Sequence, residues 1–93
     1  MVKINIFVNY PNVVVTASGG PLDSDSTKRV QVAHGVEGEN FHWDEMRYSG
    51  GEWIANVTPR STRGRDFRYD IYYFDRNGEQ IFLDSEYKFI PKH

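Results

Sequence analysis

The chain has 93 residues, a formal net charge of −2 from 11 basic and 13 acidic side chains, 15% aromatic residues and no cysteine. That length predicts one domain, residues 1–93, with a modest core, because a chain of this size buries only about 60–65% of the surface its unfolded form exposes. The balanced charge gives no electrostatic case for nucleic acid, and the lack of cysteine excludes disulfide scaffolds, thiolate metal sites and cysteine nucleophiles.

The opening stretch alternates Val2, Ile4, Ile6 and Val8 against Lys3, Asn5, Phe7 and Asn9. Period-two alternation of this kind marks a half-buried strand. It does not read as a secretory signal, and no stretch approaches a membrane span, so no membrane partner is expected. Tyr10-Pro11-Asn12 breaks the run, and Val13–Ala17 resumes it as a short β-branched strand. Residues 18–28, SGGPLDSDSTK, carry turn and loop chemistry throughout. Asp23 and Asp25 alternate there as in a calcium loop, but the sharp-turn Gly and the distal Glu of such loops are missing, and a plain surface loop is the expectation.

Residues 29–34 predict a third strand, with Val30 and Val32 inward and His34 continuing their face. Residues 35–40 form a loop. The segment Phe41-His42-Trp43-Asp44-Glu45-Met46-Arg47-Tyr48 reads either as a short strand with aromatics on both faces or as an irregular loop packed over the sheet. Ser49-Gly50-Gly51 is a turn. Glu52–Thr58 then places Trp53, Ala55 and Val57 on one face. Asp66–Asp75 places Phe67, Tyr69, Ile71 and Tyr73 on one face, with Arg68, Asp70, Tyr72 and Phe74 on the other. Asn77-Gly78 suits a tight hairpin turn with positive φ angles. Gln80–Leu83, a turn at Asp84-Ser85, and Glu86–Ile90 close the chain. Seven or eight short strands with turns every eight to twelve residues predict an all-β, immunoglobulin-like antiparallel sandwich.

No nucleophile elbow or phosphate loop is present, and although paired carboxylates are plentiful, a 93-residue domain without a deep cleft is a poor host for two carboxyls acting across a sugar, so an enzyme is not expected. His34 and His42, with Asp44 and Glu45 nearby, fall short of a metal site, and one partly buried and one exposed His is the reading preferred. The basic run Arg60, Arg63, Arg65 and Arg68 is broken by Asp66 and reads as a solvated loop. The remaining signal is aromatic. A pyranose packs its axial C–H face on a ring while neighbouring polar groups bond its hydroxyls, and Phe41-His42-Trp43-Asp44 has that composition. Trp53 reads as core and Tyr72 as structural filler. Trp43 stands equally as core plug or ligand platform.

Gly51-Glu52-Trp53 with Val57, then Phe67-Arg68-Tyr69-Asp70-Ile71-Tyr72-Tyr73, then Asp75-Arg76-Asn77-Gly78, resembles the second half of starch-binding carbohydrate-binding modules of the family 25 and 26 type. Ala33-His34-Gly35 with Trp43 nine residues beyond the His is similar to the "His-Tyr-Gly … Trp" of those modules. The relatives place a second Trp after the Asn-Gly turn, where this chain has Glu79-Gln80-Ile81-Phe82. The resemblance implies a non-catalytic module that binds an α-glucan without a cofactor, as part of a larger glycoside-active protein; the N-terminal stretch leaves a cytoplasmic protein or a module of a secreted one as the alternatives. It implies stacking on Trp43, with His34, Asp75 and Asn77 bonding hydroxyls. The alternative is a structural or protein-interaction sandwich, and the exposure of Trp43 separates the two.

Overall fold

Strand after strand pairs antiparallel with its neighbour, because each carries apolar side chains on one face only and must bury that face. A computed structural model describes the chain except residues 10, 24–26, 28, 59–63 and 92–93. In chain order the elements are β1 (Lys3–Asn9), β2 (Asn12–Ser18), a 3₁₀ turn (Gly20–Asp23), β3 (Arg29–Gly35), β4 (His42–Ser49), β5 (Glu52–Val57), β6 (Arg65–Phe74) and β7 (Gln80–Ile90). They form a seven-stranded antiparallel sheet in the order β1-β2-β5-β4-β3-β6-β7.

This sheet folds back on itself at β4. Its first residues pair with β3, from His34↔His42 to Val30↔Met46, and its last pair with β5, from Arg47↔Ile54 to Ser49↔Glu52. A strand that changes partners along its length turns the corner between two packed halves. Val13, Val15, Ala17, Ala55 and Val57 from β2 and β5 thereby join Val30, Val32, Phe67, Tyr69, Ile71 and Ile90 from the other half in one core cluster. Cα atoms of the two edge strands, β1 and β7, come within 8 Å of each other. All-β architecture with seven antiparallel strands is therefore what the alternation predicted.

One open alternative is settled and three local expectations change. Residues 42–49 are a regular strand, so the strand alternative for this segment is the one realised. The predicted break at Asp84-Ser85 does not occur. β7 runs unbroken for 11 residues and absorbs the irregularity as a bulge, pairing Ile71 with Asp84 but Tyr72 with Phe82. The extra residue, Leu83, leaves the ladder, and the bulge switches which parity of β7 faces outward. At the β6–β7 turn only Gly78 has positive φ, +82°. Gly78 N–H donates to the Asp75 carbonyl at 3.0 Å, and Asp75 N–H to the Glu79 carbonyl at 3.1 Å, which is the three-residue hairpin with a glycine bulge. The paired positive angles of a two-residue turn occur instead at Gly50 and Gly51, +61° and +90°, between β4 and β5. Finally, the 18–28 loop contains an anchored 3₁₀ turn: Leu22 is buried, and its carbonyl accepts the Trp53 indole N–H at 3.2 Å. Asp23 is exposed, and Asp25 lies outside the described residues. Among the described residues no group of three or more His, Asp or Glu side chains converges to hold a metal ion.

Candidate carbohydrate platform

β3 sets the geometry. Its inward side chains are Val30, Val32 and His34, all buried, so Gln31, Ala33 and Gly35 must face outward. Register then assigns the neighbours. Ala33 lies beside Trp43 on β4 and Asp70 on β6, and Gln31 beside Glu45 and Tyr72. Tyr72 in turn lies beside Phe82 on β7. Trp43 and Tyr72 meet diagonally across β3 with ring centroids 5.0 Å apart, and Tyr72 meets Phe82 edge-on at 5.4 Å. Ala33, at 2% exposure, has the small side chain that lets large rings close over β3. Trp43 itself is 48% exposed and Phe82 52%. Three touching rings thus form a strip across the strands on the outer face.

A polar ladder borders this strip. Arg29 grips the Glu45 carboxylate with two hydrogen bonds, Nε to Oε1 at 3.1 Å and Nη2 to Oε2 at 2.6 Å. Gln31 also donates to Glu45, and Gln80 donates to Gln31 Oε1 at 2.9 Å. Arg29 lies over the Phe74 ring at 4.5 Å. Its hydrogen bond to Glu45 raises the Arg29 pKa, and the same bond holds the Glu45 carboxyl below its ordinary range. The result is a row of oriented donors and acceptors from β3, β4 and β7 beside an apolar strip.

The residues expected to act with Trp43 are not assembled around it. His34 is 2% exposed and faces inward, so it lies on the other side of the sheet from Trp43. Its Nε2 is 2.7 Å from Asp44 Oδ2, and its ring stacks on Tyr69. Together with Glu39, Asn40, His42 and Phe67 it lines a cavity of about 50 Å³, far below the roughly 300–1,000 Å³ of ligand pockets. Asp75 Oδ1 accepts the N–H groups of Asn77 and Glu79 at 2.9 and 3.0 Å, so this carboxylate closes the hairpin turn. Asn77 is exposed at that turn, seven residues beyond Asp70 and past the end of β6 at Phe74. Trp43 is therefore the one predicted residue on the platform.

Tyr72 is one of the aromatic candidates the sequence offers for a stacking platform, and Phe82 a candidate substitute for the second Trp, but neither is among the four expected site residues. Tyr72 reads as filler because nothing local says which outward ring meets another. Phe82 stands where the starch-binding pattern has its second Trp, and that was the available signal. Trp53 is partly buried against the core, edge-on to Tyr48, close to its expected role. His42 is half-buried, not exposed. The basic run divides: Arg60 and Arg63 lie outside the described residues, whereas Arg65 and Arg68 belong to β6, paired with Glu39 at 3.2 Å and with Glu37 and Asp70. The expectation of a solvated loop does not hold for these two.

The fold is similar to that of solved carbohydrate-binding modules. This chain superposes on a Br derivative of BhCBM56 with a TM-score of 0.68 at 18% identity, covering 96% of this chain and 91% of the other. It superposes on a carbohydrate-binding module family 56 β-1,3-glucan binding domain with a TM-score of 0.64 at 14% identity, covering 95% and 98%. These are family 56 modules, not the starch-binding families 25 and 26 that the sequence motifs suggested. No protein-family model and no curated protein matches the sequence.

Proposed function

We propose that the protein is a non-catalytic carbohydrate-binding module for a β-linked glucan, with the Trp43–Tyr72–Phe82 strip as its stacking surface. The observation that carries this reading is the half-exposed Trp43 ring held against Tyr72 beside the Arg29–Glu45–Gln31–Gln80 ladder. A core plug would be sealed, and a stray surface Trp would lack oriented polar neighbours. Rings already in contact lose little freedom when a sugar docks, which favours binding by reducing its entropic cost. The β linkage is preferred to the α linkage of starch because the superposed family 56 domain is a β-1,3-glucan binding domain.

The test is a pull-down on insoluble β-1,3-glucan, cellulose and starch, run with the wild-type chain and with Trp43→Ala. Retention on β-1,3-glucan that Trp43→Ala abolishes is the expected result. Retention on starch alone would restore the α-glucan reading. Retention on none of the three, with Trp fluorescence equally quenched by acrylamide in the presence and absence of glucan, would leave a protein-interaction sandwich.

A further inference from the structure

We infer that the Phe41–Arg68–Glu37–Tyr87 cluster is the second half of the carbohydrate surface, so that a single neutral glucan chain several units long spans both halves. This inference rests on the proposed function and adds the length and charge of its ligand.

Arg68 lies beside Gly35 on β3 and Tyr87 on β7, so it faces outward on the same side as Trp43 and Tyr72. Its Nε and Nη2 each donate to the buried Asp70 carboxylate at 2.9 Å, which fixes the guanidinium plane. Its Nη1 donates to Glu37 Oε1 at 2.6 Å, and the Tyr87 hydroxyl donates to Glu37 Oε2 at 3.1 Å. The guanidinium sits 5.0 Å over the Phe41 ring. Tyr87 nevertheless leaves half its surface, 50%, open to solvent, and Phe89, two residues on along the same face, 54%. Exposed ion pairs add little to folding stability. Holding an arginine and a tyrosine in one orientation on an open face instead removes ordering cost from a later binding step.

On β6 and β7 the two halves are separated by a low floor, while on the β4 side Trp43 stands two residues from Phe41. Tyr72–Phe82 and Arg68–Tyr87 are cross-strand pairs four residues apart on β6, or about 14 Å at ~3.4 Å per residue. Between them lie Asp70, which is buried, and Ser85. One sugar ring is too short to touch both rows, whereas an oligosaccharide is long enough. The cations beside the rings are already matched, Arg29 by Glu45 and Arg68 by Asp70 and Glu37. A sulfated or uronate chain would have to displace those carboxylates, and a neutral chain would not.

The experiment is a calorimetric titration of the full chain with β-1,3-linked glucose trisaccharide and heptasaccharide. Wild type is expected to bind the heptasaccharide more than about tenfold tighter, the contribution of one good interface side chain. Tyr87→Ala should cut that gain to the few-fold that extra binding registers supply, and Tyr87→Phe should keep most of it through the ring. Trp43→Ala should weaken both lengths. Raising salt to about 1 M, where screening reaches ~3 Å, should leave the affinity in place. Equal wild-type affinity for both lengths, a gain untouched by Tyr87→Ala, or loss of binding in salt would overturn this inference alone. No binding at either length, together with no retention on insoluble β-1,3-glucan or cellulose, would overturn the proposed function with it.

Discussion

The two halves of the folded sheet both seal their inner faces and have very different outer ones. Inside, both bury β-branched residues, Val13, Val15 and Val57 on one side and Val30, Val32 and Ile71 on the other, where Phe67 and Tyr69 join them. Outside, the β1–β2–β5 half presents Asn5, Val14, Ile54 and Asn56, with Thr16 buried among them, and Phe7 is the exposed ring of these three strands among the described residues; Tyr48, equally exposed, lies where β4 pairs with β5. The β4–β3–β6–β7 half shows Trp43, Phe82, Tyr87 and Phe89, with Tyr72 and Arg68 tying them into contacts. Folding requires only the inner pattern. The unequal outer faces therefore carry information about binding, because nothing in core packing demands rings on one and not the other.

That contrast can be broken from either side. The largest effect on stability should come from inside: Ile71→Ala removes a fully buried side chain and should cost about 2–5 kcal/mol, read as a lowered urea midpoint. The outer faces come next, by affinity. Trp43→Ala should weaken binding to β-1,3-glucan by about tenfold or more, the level of an interface hot spot. Phe7→Ala, on the opposite outer face and 57% exposed, should leave it as in wild type. Equal losses from the two would remove the distinction between the faces. Ala33→Leu tests the floor beneath the rings. Overpacking it should cost about 1–3 kcal/mol and lower glucan affinity as well, because Trp43 and Tyr72 can no longer close over β3. An affinity that holds while stability falls would show that ring contact across β3 is irrelevant to binding.

The smallest effect is electrostatic. Glu45 has its folded-state pKa depressed by the hydrogen bond from Arg29. A depressed carboxylate contributes stability above its unfolded value, about 4.3, and loses it as pH falls through the folded value. The thermal midpoint of Glu45→Gln should therefore lie slightly below wild type at neutral pH and converge with it in acid. A gap that widened toward acid would reverse the sign and refute the assignment. Both groups are solvated, so the difference should be small and should shrink further in salt.

Much of the fold was legible. The alternation of Val30, Val32 and His34 placed the histidine inward, and the structure has it there: inward placement separates His34 from the outward Trp43, against the sugar role its resemblance implied. Turn residues marked Ser49-Gly50-Gly51 and Asn77-Gly78, though which pair would take two positive φ angles was not readable from residue type. The bulge at Leu83 was not legible either. Asp84-Ser85 looks like a turn locally, yet the long β6 ladder holds β7 extended through it.

The one-dimensional pattern determined the class of structure, the strands and the inner face of each, because side-chain alternation is a property of a single extended segment and needs no partner. The platform was decided only in three dimensions. Trp43, Tyr72 and Phe82 are brought together by the β4–β3–β6–β7 register and the bulge in β7. Register is set by hydrogen bonds between segments distant in sequence, and a shift of one residue would turn the same rings to the opposite side.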